Sequence, residues 1–230
     1  MVEILEVRKT FLPLLTLLGK IRTANMGIAE RKERQKKEVR DSILQSAWQL
    51  VNEEGWQNLS IRKIADAIEY SVPVVYDHFE NKEAILTVFN RRGFQLLGDE
   101  LRAAKGTQSE PKKKLEAIAF AYWDFAFRHK EYYQLMFGLG MPGCEELAKV
   151  PELVAFIEVI GSVISQVVAE GNNRSADVQL KVRSFWSTIH GLVSINLLAP
   201  PSTHEGVSMD QMNKMILNDF IMGFLKGLTE

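Results

Sequence analysis

A single cysteine, Cys144, in a chain of 230 residues excludes any internal disulfide, and a reduced, cytoplasmic setting is expected. Histidine is nearly as scarce: there are four, they are not clustered, and no His-Glu-x-x-His, no Gly-rich phosphate loop ahead of a helix and no nucleophile with its base accompanies them. No enzyme activity, no metal and no other cofactor is therefore expected. Neither sign of charge is in excess, and the net charge of −1 excludes a generic polyanion binder. Arg8-Lys9 followed by the eight residues Phe11 to Leu18 imitates a secretion signal, but Pro13 interrupts that run and no small-x-small cleavage site follows. It is too short to cross a bilayer. We expect residues 1–25 to be an N-terminal extension outside the fold, with no membrane partner; the other reading is an apolar arm packed on the body or on a membrane surface. Strand periodicity, internal repeats and low-complexity tracts are also missing, and what remains is helical periodicity nearly throughout.

The most informative stretch is Ser60 to Lys82, SIRKIADAIEYSVPVVYDHFENK, which spells two short helices joined by a tight turn. Ser60 is placed to cap the first, whose apolar residues Ile61, Ile64, Ala65 and Ile68 share one face while Arg62 and Lys63 are left to water. Ser71 is placed to cap the second, with Pro73 in its first turn and Val75 and Phe79 one turn apart as inward anchors. Val72, Val74, Asp77 and His78 then point outward. So short a helix cannot stand alone, and an outward valine pair calls for a partner surface. In a helix-turn-helix that surface is the DNA major groove.

The stretch resembles the DNA-binding head of the tetracycline-repressor (TetR) family of bacterial transcription regulators. The resemblance is carried by Ala47, Leu50, Gly55, Leu59-Ser60-Ile61, Ile64-Ala65, Ser71, Tyr76, His78-Phe79, Asn81-Lys82-Glu83 and Leu86. One departure stands out: family members usually place glycine in the inter-helix turn where this chain has Glu69. A left-handed backbone there would cost a non-glycine residue roughly 1 kcal/mol. The resemblance implies an all-α fold of about nine or ten helices: a three-helix helix-turn-helix head over residues 26–85 and a larger ligand-binding and dimerisation body over 86–230.

Within the head, nine Lys/Arg stand against eleven Asp/Glu from Met26 to Ile85, which argues against strong non-specific DNA affinity. Residues 31–40, RKERQKKEVR, concentrate six basic side chains against two acidic ones. They read either as an arm ahead of the first helix that follows phosphates or enters the minor groove, or as a solvated helix end with i,i+4 pairs. Val39, Ile43, Ala47, Leu50 and Val51 share a stripe over a helix expected from Lys37 to Glu54, stopped by Gly55, with Trp48 and Trp56 extending the core. Asn81 is expected to cap a long helix from Lys82 to about Ala104, and Gly106 to Pro111 reads as a linker.

In the body, the helix expected from Lys112 to His129 is apolar around much of its girth and so central. Phe120, Trp123, Phe127, Tyr132, Met136, Trp186 and His190 form the candidate lining of a cavity for a small apolar effector, an expectation that the resemblance strengthens; the other reading is a solid core. Phe185 to Leu192 resembles the Trp-x-x-x-His-Gly signature of one subgroup of such bodies. His190 has no second His, Cys or carboxylate at i+3 or i+4 and reads as a hydrogen-bonded core residue rather than a metal ligand.

The helices expected at Asp177 to Leu198 and Ser208 to Leu228 offer more apolar surface than one body needs. Gly223 and Gly227, one turn apart, suit close approach of another helix. The resemblance implies a homodimer through these last two helices; the other reading is that they only close their own body. For DNA, Ser60, Tyr76, His78 and Lys82 are expected on phosphates, with Val72, Pro73, Val74 and Asp77 facing base edges, and Arg62 and Ser71 beside them. The function expected is a sequence-specific regulator, a repressor of a palindromic operator relieved by a small-molecule inducer. The alternative is a helical interaction protein with a degenerate head that lacks specific DNA binding.

Overall fold

The computed structural model describes residues 27–138, 150–171, 173, 176–198, 203–204 and 207–229. The expected extension over 1–25 and Cys144 lie outside them. The described chain holds nine α-helices and divides into two compact units between Asn81 and Lys82.

The first unit contains α1 (Ile28–Glu54), a 3-10 turn (Trp56–Asn58), α2 (Ile61–Ala67) and α3 (Val72–Tyr76). Helix α1 starts nine residues before its expected start at Lys37, so the basic stretch 31–40 is helix and not a separate arm. Two local devices support this start: Glu30 Oε2 accepts from the amide of Gly27 at 3.1 Å, and Arg34 pairs with Glu38 one turn on. Ile43, Leu44, Ala47 and Val51 are buried, and α1 stops where Gly55 takes φ +81°. Ile64, Ala65, Val75 and Phe79 close this small core from the other side.

The second unit contains α4 (Lys82–Gly106), α5 (Pro111–Arg128), α6 (Lys130–Phe137), α7 (Pro151–Glu170), α8 (Val178–Leu198) and α9 (Met209–Thr229). A two-residue antiparallel ladder, β1 (Thr203–His204) with β2 (Val207–Ser208), lies between the last two helices. Helix α5 is central, as its composition requires: it packs on α4, α6, α7, α8 and α9, with Leu115, Ile118, Ala119, Tyr122, Trp123, Phe125 and Ala126 buried. Helix α7 is long and apolar enough to cross a membrane, yet Phe156, Ile160, Val163, Ile164 and Val167 are buried against its neighbours. Its apolarity is that of a core helix.

Candidate functional site

The reading helix α3 is held from one side only. Val75 and Phe79 are buried, whereas Pro73, Tyr76 and Asp77 are exposed and Val72 and Val74 half-buried. Ser60 caps α2 as expected, its hydroxyl accepting from the amide of Lys63 at 3.2 Å, and Arg62 in the first turn is exposed. Ser71 occupies the cap position of α3, but its hydroxyl makes no capping bond; the amide of Val74 is met instead by the Ser71 carbonyl at 3.0 Å. With Ser71 exposed, that hydroxyl is left for another partner. Lys82, the first residue of α4, belongs to the second unit.

The turn between α2 and α3 is a Schellman motif. The amide of Tyr70 reaches the carbonyl of Ala65 at 3.0 Å and that of Glu69 reaches Asp66 at 3.2 Å. Such a motif needs a left-handed residue, and Glu69 takes that place at φ +58°, the one non-glycine residue with positive φ among those described.

His78 departs from the expected outward pose. It is half-buried, and its Nδ1 is buried with no hydrogen-bond partner among the described residues. The reason is Arg40, whose Nη1 donates to the His78 carbonyl at 2.8 Å while its guanidinium lies 4.0 Å from the centre of the Phe79 ring. This draws the end of α3 against α1. Two open grooves flank the contact: one is lined by Arg34, Lys36, Lys37, Arg40, Asp77 and His78 with Glu30 and Glu33, the other by Lys32, Lys36, Tyr70, Val74, Asp77 and His78 among others.

In the second unit Trp123 and Met136 belong to the core, and Phe120, Tyr132 and Trp186 pack against it. Trp186 and His190, one turn apart on α8, meet Tyr122 of α5 and Tyr133 of α6. Tyr133 Oη lies 2.6 Å from His190 Nδ1, Trp186 Nε1 donates to Tyr122 Oη at 3.3 Å, and the two tyrosine oxygens are 3.2 Å apart. Phe137 and Phe156 pack on the Trp186 ring. Trp123 instead stacks on Phe127 at 4.7 Å, and Phe127 is at the surface. Met136 and Tyr132 gather at Gly93, where an added Cβ would lie 2.6 Å from Met136 Sδ and 3.2 Å from Tyr132 Cδ1. Phe120 is half-buried at the margin of the core. The expected lining residues thus make different contacts: Trp123 with Phe127 on α5, Tyr132 and Met136 of α6 beside Gly93, and Trp186 and His190 of α8 with the two tyrosines.

The Tyr122, Tyr133, Trp186, His190 cluster has a defined polarity. Burial raises Tyr122 well above the usual phenol range and pushes Tyr133 up to about 12, so both keep their protons. Burial also lowers His190, keeping the imidazole neutral. Indole N–H can only donate, so Tyr122 accepts from Trp186; Tyr133 Oη lies 2.6 Å from His190 Nδ1 and Ser194 Oγ 3.4 Å from Nε2, so each imidazole nitrogen faces a hydroxyl. Ser194 joins the cluster from outside the expected aromatic interior. The available signal was the i, i+4, i+8 run of Trp186, His190 and Ser194 along one face of an apolar helix.

On α8 and α9, Val182, Phe185, Ile189, Val193, Leu217, Ile221, Leu225 and Leu228 are buried in their own unit. Leu180, Ile195, Met215, Ile216 and Met222 are exposed. Among the described residues nothing lies within 4 Å of a Cβ added at Gly191 or Gly223.

A helix-turn-helix whose short second helix is anchored on one side only, followed in the chain by a larger helical unit, defines a helix-turn-helix regulator. Comparison with known proteins agrees: residues 43–89 match the family of bacterial regulatory proteins, tetR family, and residues 115–216 match the tetracyclin repressor-like C-terminal domain. The chain belongs to the TetR family of DNA-binding transcriptional regulators. It is 28% identical over 100 residues to the HTH-type transcriptional activator FasR of Mycolicibacterium smegmatis, a match covering 44% of this chain and only 46% of that relative. It is 21% identical over 189 residues to the uncharacterized HTH-type transcriptional regulator Rv0681 of Mycobacterium tuberculosis, covering 82% of this chain and 81% of the other. Among solved structures, a protein with unknown function from Rhodococcus sp. RHA1 shares the fold at a TM-score of 0.67 and 23% identity, over 83% of this chain and 95% of that one.

Proposed function

We propose that the protein is a cytoplasmic homodimeric repressor that binds a palindromic operator and is released by a small, largely apolar effector. The observation that carries the DNA half is the outward set Val72, Pro73, Val74, Tyr76 and Asp77 on a helix whose inward side is fixed by Val75 and Phe79. Valine methyls suit thymine methyl groups and Asp77 can accept from cytosine N4, so each half-site contains both bases. Ser60, Ser71, Arg62, Tyr76 and Lys82 serve phosphates and fix register. The exposed Leu180, Ile195, Met215, Ile216 and Met222 support a dimer seam on α8 and α9, which brings two reading helices to successive major grooves roughly 34 Å apart. The effector acts in the body beside the Tyr122, Tyr133, Trp186, His190 cluster, and its differential affinity for two states of the dimer sets the change in operator affinity.

The test is a gel shift against DNA upstream of the protein's own gene, with wild type, Val74→Ala and Tyr76→Ala, joined to a promoter fusion that reads the sign of regulation. Selective binding weakened by both substitutions, with lower expression in the presence of the protein, supports the reading. Higher expression moves the protein to activation, the role named for the FasR relative. Equal, salt-sensitive binding of random DNA by all three forms would favour the interaction-protein reading, which the head's nine basic against eleven acidic residues motivates.

A further inference from the structure

The amino-terminal part of α1 buries no side chain in its own unit. Residues 28–38 are all exposed, Ile28 is 80% exposed, and the first fully buried residue is Ile43. At 1.5 Å per residue these eleven residues project roughly 16 Å beyond the core. An exposed helical overhang pays ordering entropy with no burial to offset it, so a partner is called for. The charges say which kind. Of the acids on this segment, Glu30 holds the Gly27 amide and Glu38 pairs with Arg34. Arg40 is held by the His78 carbonyl and the Phe79 ring. Lys32, Lys36 and Lys37 make no ion pair among the described residues, and these three line the grooves that α1 forms with α3. Those grooves continue directly into Val74, Asp77 and His78, with Glu33 the remaining acid on the α1 wall.

We infer that this overhang is a backbone clamp: Lys32, Lys36 and Lys37 neutralise phosphates of the duplex flanking the base pairs under α3. The overhang is long enough to follow about five base pairs at 3.4 Å each. Because the bases themselves are not touched, the clamp adds affinity and salt dependence without changing the sequence read. The inference rests on the DNA-binding reading above and adds a second contact surface to it.

The experiment starts with a duplex selected from a random pool by the full-length wild-type protein. Failure to enrich any sequence sinks the DNA-binding reading itself and the clamp with it. Given an enriched duplex, the Lys32→Gln/Lys36→Gln/Lys37→Gln protein is expected to select the same motif, bind it at least about tenfold more weakly at low salt, and show a log K against log salt slope shallower by about 2 or more, since each neutralised phosphate contributes about 0.9. Trimming the outer flanks of the duplex weakens wild type and leaves this variant unchanged. Lys112→Gln/Lys113→Gln/Lys130→Gln, an equal charge change on exposed positions of the second unit, leaves the slope as in wild type. Glu33→Gln tightens binding. An unchanged slope in the overhang variant, equal sensitivity of both proteins to trimming, or an equal loss in the control overturns the clamp. All the substituted residues in the overhang are exposed, so unaltered thermal unfolding checks that the fold is intact.

Discussion

Arg40 and His78 stand 38 residues apart in sequence and 2.8 Å apart in space, a guanidinium nitrogen donating to a backbone carbonyl at the end of the reading helix. Helix α3 has only five residues, too few to persist by its own hydrogen bonds. What fixes it is the inward anchoring of Val75 and Phe79 and this clasp from α1. Arg40→Ala should therefore cost about 1–2 kcal/mol, low in the range for a charged donor because Arg40 is half-buried, and should reduce operator affinity. Hydrogen exchange is the measurement: the amides of His78 and Phe79 lose protection in the variant. Unchanged protection would show that the apolar anchors suffice.

The two serines at helix starts should behave differently. Ser60 makes its cap bond, so Ser60→Ala lowers stability by about 1 kcal/mol in urea unfolding. Ser71 makes none, so Ser71→Ala stays within about 0.5 kcal/mol while weakening DNA binding. Equal losses of stability in both would show that Ser71 caps in solution.

Glu69 holds a left-handed turn at φ +58°. Relief of that backbone is worth roughly 1–2 kcal/mol, and the greater unfolded-state freedom of glycine returns about 0.5–1 of it. Glu69→Gly is expected to raise the melting temperature, and Glu69→Val to lower it.

His190 has its pKa lowered by burial, so the folded protein resists protonation at that ring. Its contribution to stability is complete above the unfolded-chain value of about 6.5 and is lost as pH falls through the lower folded value. Melting temperatures of wild type should fall as pH is lowered from 7 to 5. In His190→Gln, which cannot titrate, that part of the fall should disappear.

Ile216 is 48% exposed on α9 and stands outside the buried core of its unit. Ile216→Glu is expected to give a folded monomer in sedimentation experiments, with cooperative unfolding retained and operator affinity lost. A dimer of unchanged stability would place the seam elsewhere.

Much of the head was legible in the sequence because its signals are local. Ser60 three residues before Lys63, Gly55 at a helix stop, and Val75 with Phe79 one turn apart each specify their geometry within a few residues. The apolar stripe predicts a helix nine residues shorter than α1 because the stripe ends before the basic overhang, where capping by Glu30 and the Arg34–Glu38 pair support the helix without any burial. In the body, helical periodicity located α5 and α8 but could not say which rings meet. Periodicity gives the direction a side chain takes from its own axis, not what stands opposite.

Sequence by itself determined the helical class, the helix-turn-helix and the absence of an internal disulfide, since these follow from short-range stereochemistry or composition; resemblance to a family that usually has glycine there marked the turn at Glu69. Tertiary structure alone decided that Arg40 holds His78, that Lys32, Lys36 and Lys37 flank the reading helix, and that Tyr122, Tyr133, Trp186 and His190 share one hydrogen-bonded cluster. Those are contacts between segments tens of residues apart, and they are fixed by how helices pack against one another.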